Sequence, residues 1–283
     1  MVSIIVPAFN EAQIIERSLA ALLRQEDAGP YEVLLAANGC RDDTVPLARA
    51  MMPEAARRNV RLDVLDLPEP GKIGALNAGD AAATYDERIY CDADLIVSDN
   101  LVSETRRSLA VEAPRFVSYR LEVAPSRSAV TRAYGRMWRQ LPLLEREPHG
   151  IALYGLNAAG VARRGAYPQI VADDNFVRLN FKPAERVRLD AVSYEFVLPE
   201  GFSELVAVRT RWSRGNDELA RVRPDLLANE TEGPRYEGFG PKMLAAPLDA
   251  AVFTGVFVLG KLRGKRDARH GNAKWERAEA SRR

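Results

Sequence analysis

Apolar and polar positions alternate in blocks through the early part of the chain. Val2 to Val6 is a β-branched run stopped by Pro7, the pattern of a strand buried on both faces. Beyond Asn10, a fair helix N-cap, Ile14, Ile15, Leu19, Leu22 and Leu23 recur at helical spacing. Tyr31 to Ala37 predicts a second strand ending at Asn38-Gly39, and Asp42-Asp43-Thr44 opens a helix carrying Val45, Leu47, Ala48 and Met51. Val60 to Leu67 predicts a third strand, closed by Pro68-Glu69-Pro70-Gly71. Lys72 to Ala83 follows as a helix, and Arg88 to Cys91 as a fourth strand running into Asp92 and Asp94. Such strand–helix alternation predicts an α/β fold: a mostly parallel sheet with helices on both faces.

From Ser98 the pattern loosens. Ser98 to Ala110 and Arg132 to Glu145 predict helices, the first capped by Ser98 or Asp99; Arg115 to Val123 and Ile151 to Tyr154 predict strands. Gly155 to Gly160 reads as a small-residue loop, Val171 to Phe176 as the approach to a helix, and Val187 to Val197 as one or two short strands. Phe202 to Val222 is charged and helical. Leu244 to Gly260 is mostly apolar, and its uncharged run, Ala250 to Gly260, is too short to span a bilayer. Lys261, Arg263, Lys265, Arg266 and Arg269 follow. Two readings stand: residues 244–269 rest on an anionic leaflet as a peripheral membrane contact, or they pack on the protein with a solvated basic tail. His270 to Arg283 reads as loosely ordered, and no internal repeat is visible.

Composition narrows the chemistry. The chain has 283 residues, 47% of them hydrophobic, enough for one large domain with an appendage. Forty Lys and Arg against 39 Asp and Glu give nucleic-acid binding no electrostatic support. Two cysteines make no disulfide framework, and two histidines leave little room for a histidine-rich zinc site or a Ser-His-Asp triad. The amino terminus carries no basic leader, so a cytoplasmic location is expected, at the inner face of the membrane if the apolar–basic end meets lipid. The loop after the first strand, Pro7-Ala8-Phe9-Asn10-Glu11, has no glycine, which disfavours dinucleotide and P-loop sites.

Asp92 and Asp94 lie at the carboxyl end of a strand, where open α/β sheets bind ligands. Read as strand positions i and i+2 they share a face. Hard oxygen donors of this kind suit Mg²⁺ or Mn²⁺ shared with substrate phosphates. Lys72 opens a helix behind a Pro-Gly turn, a place that attracts phosphate.

Five segments occur in order: Val6-Pro7-Ala8-Phe9-Asn10-Glu11, Asn38-Gly39-Cys40-Arg41-Asp42-Asp43-Thr44, Lys72-Ile73-Gly74-Ala75-Leu76-Asn77-Ala78-Gly79, Asp92-Ala93-Asp94 and Ala172-Asp173-Asp174. Over residues 1–215 this series resembles the family 2 glycosyltransferases. The resemblance implies a GT-A fold in residues 1–215, with a donor half at 1–97 and an acceptor half at 98–215. Residues 216–283 would then form a helical extension. It implies an inverting, metal-dependent and non-processive transferase that uses a nucleotide-diphosphate sugar of the UDP or GDP type. The acceptor would be a glycan or lipid-linked hydroxyl, as in polysaccharide or cell-envelope synthesis.

By the same resemblance, Pro7, Ala8, Asn10, Glu11, Asn38 and Asp42 bind the nucleoside, and Lys72 the diphosphate. Asn38 stands where relatives carry an acid, which leaves the base open. Asp94 would ligate Mn²⁺ or Mg²⁺, with Asp92 supporting the ion or the ribose. Asp174 would be the general base; Asp173, a member of the same acidic pair, sits on the acceptor side or caps the following helix. Asn157 and Trp212 also fall on the acceptor side, and Arg211 and Arg214 could reach the diphosphate. Arg211-Trp212 is similar to part of the motif of processive members, but its glutamine position is Val208, which counts against polymer extrusion. A sugar-1-phosphate nucleotidyltransferase would need a Gly-rich first loop with a basic residue, and residues 7–13 have neither. A non-catalytic nucleotide-sugar-binding scaffold remains as an alternative, motivated by Asn38 and Val208.

Overall fold

The computed structural model describes residues 1–230 and 238–269. The expectation for His270 to Arg283 lies outside them. Strand β1 spans Val2–Ala8, helix α1 Ile15–Leu23 and β2 Tyr31–Asn38. Helices α2, Thr44–Ala50, and α3, Met52–Arg57, lead to β3, Arg61–Leu67. Next come α4, Lys72–Ala82, β4, Glu87–Cys91, and β5, Ile96–Val97. The chain continues through α5, Leu101–Leu109, β6, Phe116–Val123, α6, Ala129–Trp138, and α7, Pro142–Glu145. Then follow β7, Leu153–Leu156, α8, Ala158–Arg164, α9, Asp173–Leu179, and β8, Arg186–Phe196. Helices α10, Phe202–Val222, α11, Phe239–Ala245, and α12, Pro247–Arg269, complete the described chain.

Eight strands form one sheet in the order β3-β2-β1-β4-β7-β6-β8-β5. The α/β class holds. Strands β3, β2, β1 and β4 are parallel, as the alternation predicts, with Val2 facing Tyr31 on one side and Glu87 on the other. Strands β4 and β7, β7 and β6, and β5 and β8 pair antiparallel. They arise where the sequence pattern loosens, because short antiparallel strands need no crossover helix between them. Strands β1 and β2 are buried along their whole length. Strand β3 is an edge, and Arg61, Asp63 and Asp66 give it the charge that discourages pairing with another chain.

The chain divides into two compact units, one of residues 1–121, 148–169 and 173–195, the other of 122–147, 170–172 and 196 onward. Helix α10 runs unbroken through residue 215, where the sequence suggests a boundary. In the first unit, α4 packs against β1 so closely that a Cβ on Gly79 would meet Ile5 Cγ2 at 2.5 Å. In the second, α12 buries Ala250, Phe253, Val256, Gly260 and Gly264 at helical spacing, against α10 and α6. Arg209 of α10 lies over the Phe257 ring at 4.2 Å. Of the two readings for residues 244–269, packing therefore describes one face. The other face exposes Leu248, Val258, Leu259, Leu262, Lys261 and Arg263. Among the described residues no helix is long and apolar enough to cross a membrane.

Four local expectations change. Asn10 does not cap α1: it holds φ 54° and its side chain accepts from the Arg41 N–H at 2.8 Å, while the Glu11 carbonyl takes the first helical N–H groups. The N-cap of α5 is Asn100, beyond both Ser98 and Asp99. The helix expected over Arg132 to Glu145 starts at Ala129, capped by Ser128, and breaks before Pro142. Gly155 to Gly160 is no loop. It ends β7 and begins α8, with Asn157 as the N-cap accepting from the Gly160 N–H at 2.9 Å.

Candidate active site

The carboxyl ends of β1, β2 and β4 meet the first turns of α4 and α9 in the first unit. A Pro-Gly turn sets the start of α4. Gly71 has φ 151° and ψ 118°, a conformation that disfavours a side chain, and its N–H donates to Asn38 Oδ1 at 2.9 Å. Asn38 Nδ2 donates to the Ala8 carbonyl at 2.7 Å. One buried amide thus ties together the ends of β1 and β2 and the entry of α4. Asp42 Oδ2 accepts from the Ala12 N–H, and Oδ1 from the Thr44 N–H and hydroxyl at 3.1 and 2.5 Å. Burial works against the charged form of Asp42, but these hydrogen bonds outweigh it and lower its pKa. Pro7 lines the crevice beside Lys72, and Ala8 and Glu11 are buried next to it in sequence.

Strand β4 ends at Cys91, and Asp92 already belongs to a turn closed by the Leu95 N–H on the Asp92 carbonyl at 3.3 Å. The strand alternation expected for Asp92 and Asp94 therefore does not apply. Asp92 is half-buried in the crevice and Asp94 is exposed. The Asp92 N–H is held at 2.9 Å by the carbonyl of Ala152, which adopts φ 61°, an uncommon left-handed conformation for a residue with a Cβ.

Lys72 Nζ lies 2.8 Å from Asp92 Oδ1 and 3.0 Å from Asp173 Oδ2. Burial alone would lower its pKa, but Asp173 and Asp92 outweigh that and raise it, so the ammonium is fixed in its charged form. Asp173 and Asp174 form the first turn of α9. Asp174 lines the same crevice, and Oδ1 accepts from the Asn175 N–H at 2.7 Å. Its pKa is pushed up to about 6, first by burial and then by the neighbouring Asp173. Sequence brings Asp92 and Asp173 no nearer than 81 positions apart; the fold puts both on one ammonium.

The back of the crevice is aromatic, and most of it escapes a reading of the sequence. Tyr90 stacks on Tyr154 with centroids 4.9 Å apart, and the Tyr154 and Tyr167 hydroxyls are 2.6 Å apart. Tyr90 donates to Asp80 at 2.6 Å, Arg164 pairs with Asp80 at 2.6 Å, and Arg164 covers the Tyr167 ring at 3.9 Å. Asn77 holds the Tyr167 backbone through both amide atoms. Tyr154 enters the sequence reading only as the end of the strand expected over Ile151 to Tyr154.

Asn157 spends its amide on the backbone: Oδ1 accepts from Arg115 and Gly160, and Nδ2 donates to Val111 and Ala113. No valence is left for an acceptor, so we assign it to fixing the start of α8. Arg211, Trp212 and Arg214 belong to α10 in the second unit, where Trp212 stacks on Trp138 at 5.8 Å. A wider hollow lined by Leu23 to Tyr31 and Arg58 to Val60 lies at the amino end of β2. Ligands of open α/β sheets sit at the opposite, carboxyl end, so we place the chemistry in the narrower crevice.

Among the described residues no group of three or more His, Cys, Asp or Glu side chains is arranged to hold a metal ion. Asp92 and Asp94 are hard oxygen donors of the type that Mn²⁺ or Mg²⁺ takes alongside phosphates and water. They do not form a dedicated cage.

A mixed sheet in this order, with an acidic crevice at the carboxyl ends of its parallel strands, defines the GT-A class of glycosyltransferase. The chain belongs to glycosyl transferase family 2, whose model matches residues 3–163. It is 30% identical over 150 residues to glycosyltransferase AglD of Haloferax volcanii, covering 49% of this chain and 23% of that protein. The fold is similar to mannosyltransferase PcManGT of Pyrobaculum calidifontis, solved with GDP-Man and Mn²⁺. That likeness has a TM-score of 0.60 and 20% identity, over 96% of this chain and 79% of that one. Residues 1–349 of S. aureus TarS, solved with UDP, match with a TM-score of 0.54 and 11% identity, over 99% and 94% of the two chains.

Proposed function

We propose that this glycosyltransferase is inverting. It moves a sugar from a UDP- or GDP-type donor to a hydroxyl of a glycan or lipid-linked acceptor, by metal-assisted direct displacement. The observation that carries this reading is the meeting of Lys72, Asp92, Asp173 and Asp174 in one crevice. The solved relatives with GDP-Man and Mn²⁺, with UDP, and with UDP-GlcNAc support the donor class.

In this reading the Asp174 carboxylate takes the proton of the acceptor hydroxyl as its oxygen bonds to the anomeric carbon. The bond from that carbon to the phosphate oxygen breaks, and its electron pair leaves on the nucleoside diphosphate. A base with a pKa near 6 is ionised at neutral pH yet basic enough to receive that proton. Asp92 and Asp94 would hold Mn²⁺ or Mg²⁺. Bound there, such an ion would neutralise charge on the leaving diphosphate. Residues 1–97 present the loops that hold the donor, and the first turn of α9 faces the acceptor.

The exposed Leu244, Leu248, Leu262, Lys261 and Arg263 support peripheral contact of residues 244–269 with an anionic membrane surface, with the enzyme acting at its cytoplasmic face.

The test of mechanism is sugar transfer by Asp174→Asn. Loss of a positioned base is expected to slow transfer by about 10²–10⁴-fold while donor binding persists. Transfer at the wild-type rate would remove Asp174 from the mechanism. A non-catalytic scaffold would instead bind donor with no turnover in the wild-type protein.

A further inference from the structure

The most unusual feature of the crevice is where its lysine points. A lysine at the start of a helix, expected to await a phosphate, spans two carboxylates instead, at 2.8 and 3.0 Å. Asp173 is buried, and Asp92 is a carboxylate that the donor reading gives to the metal. The crevice that remains is narrow, with Lys72, Asp92, Asp173 and Asp174 all on its walls.

We propose that Lys72 is a displaceable internal cation: its ammonium occupies Asp92 and Asp173 until a nucleoside diphosphate draws it off, so that a divalent ion binds well only together with the diphosphate. This rests on the donor reading above and adds to it an obligatory coupling between ion and nucleotide. The physical basis is charge. A divalent ion arriving alone must share Asp92 with an ammonium already hydrogen-bonded to it, and like charges a few ångströms apart repel. A diphosphate offers the ammonium a more highly charged partner within reach of the same helix N-terminus. Once Lys72 has turned to the phosphates, Asp92 is available to the ion. The coupling is reciprocal: whatever factor the nucleotide adds to ion affinity, the ion adds to nucleotide affinity.

The same site serves economy of folding. Without a cation, Asp92, Asp173 and Asp174 would crowd three carboxylates into one crevice, and burial of unpaired charge is costly. Lys72 stabilises the donor-free enzyme by the contacts that it must release to work.

The experiment is Mn²⁺ binding, followed by calorimetry and by the Mn²⁺ spin-resonance signal, with and without UDP or GDP. It compares the wild-type chain with Lys72→Met and Lys72→Arg. In the wild type, Mn²⁺ alone is expected to bind weakly and the effective nucleotide to tighten it by about tenfold or more. In Lys72→Met, Mn²⁺ alone should bind about tenfold more tightly than in the wild type, and the enhancement by nucleotide should shrink in proportion. Lys72→Arg keeps the charge and should bind Mn²⁺ alone no better than the wild type. It still decides the question if the methionine variant does not fold, since tighter Mn²⁺ binding by the arginine variant overturns the proposal. So does a methionine variant with unchanged or weaker Mn²⁺ affinity and intact nucleotide binding; the donor reading survives that result. If neither nucleotide binds the wild type with Mn²⁺, both fall.

Discussion

An amide at position 38 does what a carboxylate could not. Asn38 donates to the Ala8 carbonyl and accepts from the Gly71 N–H, two bonds of opposite sense from one buried side chain. Asp in its place would set an oxygen against the Ala8 carbonyl. Asn38→Asp is therefore expected to lose about 1–3 kcal/mol of stability in urea unfolding at neutral pH, with native-like spectra. The departure at this position thus has a structural reason, which weakens the case it made for a non-catalytic scaffold. His149 supplies a second residue-scale test. Its ring is 1% exposed and neither nitrogen has a hydrogen-bond partner among the described residues. Burial first, then Arg188 and Arg178, lower its pKa to about 3. An unfolded histidine titrates near 6.5, so between those values the unfolded chain binds the extra proton. The stability from a neutral His149 is complete above pH ~6.5 and is lost as pH falls towards 3, at up to about 1.4 kcal/mol per pH unit. His149→Leu should lack that part of the slope. Parallel curves for wild type and variant from pH 7 to 5 would contradict the assignment.

At the scale of the element, α4 carries two glycines with opposite futures. Gly79 faces Ile5 on β1, and a Cβ there would come within 2.5 Å of a β-branched side chain that cannot yield. Gly74 faces open space on the same helix. Gly79→Val should cost about 1–3 kcal/mol by overpacking, whereas Gly74→Ala should add about 0.5–1 kcal/mol from helix propensity. Denaturant midpoints with unchanged slopes would check both; equal effects at the two positions would mean that α4 does not pack on β1 as described. The first four strands and their helices were legible because each has its own local period. Strand β7 was legible only as a short strand over Ile151 to Tyr154; its antiparallel place beside β4 was not, since that depends on partners far away in sequence. The α12 seam was half legible. Its apolar length shows in the sequence, but the choice of buried stripe, with Gly260 against Arg209, belongs to the partner helix.

For the whole molecule, the ordered acidic turns were enough to indicate the family, and Asp92, Asp173 and Asp174 line one crevice while Asp94 is not among its lining residues. What the order could not carry was pairing. That Lys72 bridges the turn after β4 and the first turn of α9, that Asn157 is consumed by backbone, and that Tyr90 and Tyr154 form a wall are all consequences of long-range contact. On the proposed function, this crevice grips a nucleotide-sugar diphosphate. The most direct test is a thermal-shift titration with UDP- and GDP-sugars, with and without Mn²⁺, on the wild type, Asp92→Asn and Asp174→Asn. A ligand that binds only the native state at 100 times its Kd adds about 2.7 kcal/mol. Tm is expected to rise with one donor class and Mn²⁺ in the wild type and in Asp174→Asn, and not to rise in Asp92→Asn. A donor-dependent rise of the same size in Asp92→Asn, or none in the wild type, would contradict it.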